Sequence, residues 1–243
     1  SRVGGLRKMD PFERDILAVK EALQRRYGPG ARRGIEEVSE KLIALHRRNQ
    51  VKINHSVMEL VLAAYLIDRG YAVDPEHPLE NDLIADLMAW RDGRSMIVEV
   101  ETGFTSPENA LDPQAYLTAR VISKLARYSL HADRFSLATP AHNILQIPKT
   151  LLKPSRRRKA EDVNLLKTLC DRYYKTPEIA LEKLTKMRLH SIYIINVDLL
   201  DVVKLTPRRY LERFGNLCPD KKLLKRYLGA GLRRSVAYEH PAT

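Results

Sequence analysis

With 243 residues, 44% of them apolar, the chain is long enough to bury a sizeable core and too apolar to be a disordered tail. No run approaches the roughly 18 apolar residues that span a bilayer, and the basic start is not followed by the apolar stretch of a signal peptide, so the expected location is cytoplasmic. The formal net charge of +12 points to a polyanionic partner, and its distribution is uneven: residues 1–148 hold 20 basic and 20 acidic side chains, residues 149–243 hold 22 and 10.

Asp10-Pro11 opens a helix with a capping side chain, a proline in the first turn and Glu13 three residues on; Phe12, Ile16, Leu23 and Tyr27 form its stripe, and Gly28-Pro29-Gly30 ends it. A second amphipathic helix is expected over 34–48, with Ile35, Val38, Leu42 and Leu45 at helical spacing. A third, over 56–69, is apolar nearly all round and reads as a core helix that Gly70 stops. Next come a short strand at 71–73, a proline-containing loop, a strand over 83–90, the turn Asp92-Gly93 and a strand over 95–101. Asp112-Pro113 starts a helix to about residue 131, and 134–138 reads as a strand. Beyond Pro148, Lys153-Pro154-Ser155-Arg156-Arg157-Arg158-Lys159 is a basic loop or arm. Helices near 161–173 and 177–188, a strand at 190–197 and basic helices follow. Cys170 and Cys218 lack the neighbours of a zinc site and read as packing residues.

Asp-Gly between two apolar runs is a strong hairpin signal. If Asp92 and Gly93 are the two loop residues, Arg91 faces Arg94 and every opposed pair has numbers totalling 185, which puts Asp86 across from Glu99. Their Cβ atoms would then be roughly 4.5 to 5.5 Å apart, with Glu101 on the same face. Facing like charges destabilise a hairpin and lack solvation beside Ile84, Met88, Trp90 and Ile97. A divalent cation offsets that repulsion, and Mg²⁺ takes one or two carboxylates plus water and phosphate. The alternative is a solvent-exposed sheet face with ordinary surface acids, although a lone carboxylate in the otherwise apolar strand 83–90 argues against it. A three-residue loop would separate the two acids.

The order Glu59 on a helix, Asp86 on a strand, Glu99-Val100-Glu101 on the next, then a helix with Lys124 and a strand over 134–138 resembles the PD-(D/E)xK nuclease superfamily. Within it, the chain looks like the archaeal Holliday-junction resolvases, over about residues 55 to 140. The resemblance implies an α/β, restriction-endonuclease-like core, α-β-β-β-α-β, with a mixed central sheet flanked by helices. It implies that Asp86 and Glu99 bind Mg²⁺ or Mn²⁺ and that Glu59 assists from the core helix. The family pattern has lysine two positions after the second acid, where this sequence has Glu101. Lys124 is the candidate replacement, and a solvated lysine on an amphipathic helix is its alternative reading. Glu101 itself reads as a further metal ligand or as a sign of lost catalysis. Ser56-Val57-Met58-Glu59 also reads as a capping box, which would give Glu59 a purely local role. Among the histidines, only His55 falls near the acids.

The expected organisation is an N-terminal helical segment over 1–50, a nuclease-like core over 51–148 and a basic C-terminal part over 149–243. Lys153, Arg156, Arg157, Arg158 and Lys159 are expected to contact nucleic-acid phosphates, which give affinity without sequence information. No phosphate-binding glycine loop is present. The expected function is a metal-dependent DNA endonuclease, structure-selective or weakly sequence-specific, in repair, recombination or defence, with a homodimer among the assemblies left open. The alternative is a nuclease-fold protein that binds nucleic acid without cutting it.

Overall fold

The structure, a computed structural model, describes residues 10–51 and 53–237. Among the described residues eight α-helices and six strands run in the order α1 (Pro11–Tyr27), α2 (Pro29–Arg47), α3 (Ile53–Asp68), β1 (Ala72–Pro78), β2 (Ile84–Arg91), β3 (Arg94–Val100), α4 (Pro113–Tyr128), β4 (Arg134–Pro140), α5 (Ala160–Tyr173), α6 (Leu181–Lys186), β5 (Ser191–Asn196), β6 (Asp201–Leu205), α7 (Pro207–Phe214) and α8 (Lys221–Ala237). The strands form a six-stranded mixed sheet ordered β1 to β6, flanked by helices, so the architecture is α/β. No described helix is long and apolar enough to cross a membrane.

The chain divides into two compact units, one holding residues up to Gly93 with Ile195–Val202, the other Arg94–Ile194 with Val203 onward. In the first unit, the Asp10 side chain accepts from the Phe12 amide at 2.8 Å and caps α1. Phe12, Ile16 and Leu23 of α1 and Ile35, Val38 and Leu42 of α2 are buried in the core that these helices build with α3. The body of α3, from Leu60 to Ala64, is fully buried. A helix without a polar face is stable only inside a core, and α3 packs on β1 and β2.

Strand β1 pairs antiparallel with β2, with Ala72 opposite Trp90 and His77 opposite Ala85. Asp92 and Gly93 have φ of 53° and 71°, and positive φ at both central residues is what a two-residue type I′ hairpin turn requires.

In the second unit, β3 and β4 run parallel, with Glu99 opposite Leu137. Parallel neighbours need a crossover, and α4 supplies it. Buried Val121, Ile122, Leu125 and Ala126 form the apolar face of α4. Cys170 and Cys218 are free and buried, and burial pushes their thiols up to about 12 and about 11. That fits the packing role expected of both.

Several boundaries differ from those expected. Helix α2 begins at Pro29, because proline is accommodated at the first turn and continues the chain after Gly28. Helix α3 begins at Ile53, so Ser56 and Glu59 lie inside it and form no capping box. Strand β1 runs on through Pro75 to Pro78 where a loop was expected.

Candidate metal and acid-base site

The four carboxylates of the expected site and His55 are almost wholly buried: Glu59 and Asp86 at 0% exposure, Glu99 at 1%, Glu101 at 2% and His55 at 6%. Ionised carboxylates do not stay in an apolar interior without compensation, so the partners of each decide what the site can do.

In the first unit, His55 and Glu59 stand four residues apart on α3 and so share one helix face. Asp86, the third residue of β2, meets that face. One ligand atom from each of His55, Glu59 and Asp86 lies within 4.8 Å of the others. The His55 Nδ1 is buried, makes no hydrogen bond among the described residues, and lies 4.0 Å from an Asp86 carboxylate oxygen. Glu76 falls opposite Asp86 in the β1 to β2 register, since Pro75 faces Leu87 and His77 faces Ala85. Its φ of 48° is an uncommon conformation for glutamate and a local strain beside the group.

A buried imidazole nitrogen with two carboxylates is a donor set that suits a divalent cation. The oxygens suit Mg²⁺ or Mn²⁺, and the nitrogen shifts the preference toward Mn²⁺ and later transition metals. The residues present therefore fit a metal ion. His55 is the member that the sequence only hinted at; the signal that places it is the i, i+4 spacing to Glu59 once the helix includes both.

In the second unit, the Lys124 ammonium on α4 donates to Glu99 at 3.1 Å and to the Val100 carbonyl at 2.6 Å. Lys124 is therefore not the solvated surface lysine of the alternative reading; its side chain is only 12% exposed. Glu101, just past the end of β3, accepts from the Gly103 amide at 3.0 Å. Its other oxygen lies 2.8 Å from the Arg120 Nε, a close ion pair that lacks hydrogen-bond alignment. Asn143 donates to the Glu101 carbonyl at 3.4 Å and to the Thr139 hydroxyl at 2.9 Å.

The expected basic arm is a folded segment. A short 3-10 turn covers Ser155–Arg157, and Lys153, Arg156, Arg157 and Lys159 are exposed. Arg158 turns inward and donates to the Met187 carbonyl at 2.6 Å. Its burial lowers the guanidinium pKa to about 10.

Comparison of the chain with protein-family models, with curated proteins and with solved structures finds no match, so the functional reading rests on these two groups of side chains.

Proposed function

We propose that this chain is a metal-dependent endonuclease of the restriction-endonuclease-like type, hydrolysing phosphodiester bonds in DNA with Mg²⁺ or Mn²⁺. The observation that carries the reading is the buried group of His55, Glu59 and Asp86, whose ligand atoms lie within 4.8 Å of one another. A buried lysine held against Glu99 supports it. The order of elements from α3 to β4 agrees with the resemblance read from the sequence.

In this reading His55, Glu59 and Asp86 hold the cation. A bound divalent ion supplies a polarised phosphoryl oxygen and a water of lowered pKa. Lys124 is positioned by Glu99 and the Val100 carbonyl and offers an ammonium to the charge that develops on the phosphate. It fills the role that the family pattern gives to the residue at position 101. Glu101, engaged by Arg120 and Gly103, acts as a strut for the segment after β3.

The test is cleavage of labelled linear, branched and single-stranded DNA with Mg²⁺, Mn²⁺ or EDTA, using wild type beside Asp86→Ala and Glu99→Ala. Metal-dependent cutting lost in both variants supports the reading. The second reading is a nuclease-fold protein that binds nucleic acid without cutting, and it is favoured by one observation: the position expected to hold lysine is an acid paired with Arg120. Tight, salt-sensitive binding with no cutting under any metal selects it.

A further inference from the structure

The second unit contains a pocket of about 570 Å³ that the metal group does not use, within the size range of small-ligand sites. Five cations line it: Lys153, Arg157, Arg158, Arg188 and Arg208. No aspartate or glutamate does. Arg208 pairs with Glu212 at 2.8 Å, but Arg157 and Arg188 make no side-chain hydrogen bond or ion pair among the described residues. Among the described residues Arg158 has only carbonyl oxygens as partners, those of Met187 and Lys153, and its Nε is buried without one. A half-buried guanidinium compensated by carbonyls alone is electrostatically incomplete, and an anion would complete it.

The floor is of a different chemistry. Leu152, Leu189, Pro207 and Leu211 line it with the aliphatic stems of the arginines. His190 adds a ring whose Nδ1 accepts the Phe135 amide at 3.0 Å. Burial, with Arg134 and Arg188 nearby, pushes its pKa down, so the ring is neutral with its proton on Nε2, a donor that carries no charge. The cationic surface continues past the rim along Arg156, Lys186 and Arg188, which line an adjoining pocket.

A free inorganic anion would leave the apolar floor unused, and an apolar ligand would leave the arginines unused. A duplex keeps its bases stacked inside and presents only phosphates. We propose that this pocket binds an unpaired nucleotide of a DNA strand, with the base on the apolar floor and the flanking phosphates on Arg157 and Arg188. The proposal rests on the nucleic-acid reading above but not on catalysis. It names the substrate class: DNA with unpaired nucleotides, as at a branch, a flap or a gap.

The experiment is fluorescence anisotropy in EDTA with three labelled probes of equal length: a single-stranded thymidine oligomer, a duplex, and an abasic strand with the same phosphates but no bases. The variants are Arg157→Glu and Arg188→Glu, both at exposed positions, with Arg33→Glu on α2 as the charge-matched control. The expected result is single-strand binding about tenfold tighter than binding to the duplex or the abasic strand. Each pocket variant loses about tenfold on the single strand and flattens the salt dependence by roughly one phosphate contact, while Arg33→Glu changes it less than twofold. Equal binding of the abasic and thymidine strands, or pocket variants that behave like Arg33→Glu, overturns the proposal. Because binding is read in EDTA it is independent of cutting: no cleavage under Mg²⁺ or Mn²⁺ with this binding pattern intact overturns the nuclease reading alone. Cleavage that persists while the pocket variants bind normally overturns the pocket alone.

Discussion

The Lys124 ammonium donates to Glu99 at 3.1 Å and to the Val100 carbonyl at 2.6 Å, in surroundings that leave the glutamate 1% exposed. A pair so placed is tied to both stability and chemistry. Removing the cation takes a charge partner from a buried carboxylate, which costs roughly 3 kcal/mol when one partner of a buried pair is lost.

Lys124→Met is therefore expected to lower the urea midpoint, and Lys124→Met combined with Glu99→Gln to recover part of the loss. Cleavage, if the proposed function holds, falls by a factor on the order of 100 or more, the scale of a lost preorganised donor. A single variant as stable as wild type would mean that Lys124 is solvated, and the double-mutant cycle would then show no coupling.

The donor set around Asp86 makes a claim about metal choice. A site of oxygens alone treats Mg²⁺ and Mn²⁺ similarly, whereas a buried imidazole nitrogen favours Mn²⁺. Thermal unfolding with each ion in excess is expected to give the larger rise with Mn²⁺; at a hundredfold excess over the dissociation constant, binding stabilises by about 2.7 kcal/mol. His55→Gln keeps bulk and polarity and is expected to shrink the Mn²⁺ shift to the size of the Mg²⁺ shift. Equal shifts in wild type would remove His55 from the ligand set.

The limits of the sequence reading follow from local chemistry. The Asp92-Gly93 turn was legible because few sequences accept positive φ twice in succession, and an isolated acid in an apolar strand marked Asp86. His55 stayed at the margin because the core helix was expected to begin at Ser56. With α3 starting at Ile53, His55 enters the helix and joins Glu59 on one face. Strand β1 was cut short at Val73 because prolines usually end strands, but β1 is the first in the sheet order, and an edge strand tolerates Pro75 and Pro78. The short β6 carried too few residues to give a pattern. The inward turn of Arg158, within a run of four consecutive cations, depends on the Met187 carbonyl 29 positions later, a long-range partner that no local pattern reveals.

Gly103 is the hinge on which Glu101 depends. Its φ of +77° favours glycine, and a Cβ there would stand 2.3 Å from the Asn143 Oδ1. Asn143 is itself anchored to Thr139 at 2.9 Å, so it cannot yield freely. Gly103→Ala is expected to destabilise the fold by roughly 1 to 3 kcal/mol, measured by urea unfolding, and to weaken the grip on Glu101. Unchanged stability would show that the segment after β3 shifts without resistance.

Asp74 on β1 gives a pH prediction through its own ion pairs. Burial alone would raise its pKa, but hydrogen bonds from Lys41 at 2.6 Å and His77 at 2.6 Å, with the charges of both, outweigh it and hold the carboxyl below its ordinary value. For a carboxyl depressed in the folded state, the stabilisation is fully present above the unfolded pKa and disappears as pH falls through the folded one. The difference in urea midpoint between wild type and Asp74→Asn, measured from pH 5 downward, is therefore expected to shrink as pH drops below about 4. The contact between Lys41 of α2 and β1 loses its anionic partner over the same interval. A difference that stays level down to about pH 2, or that grows on acidification, would mean that the Lys41 and His77 contacts do not favour the ionised carboxylate.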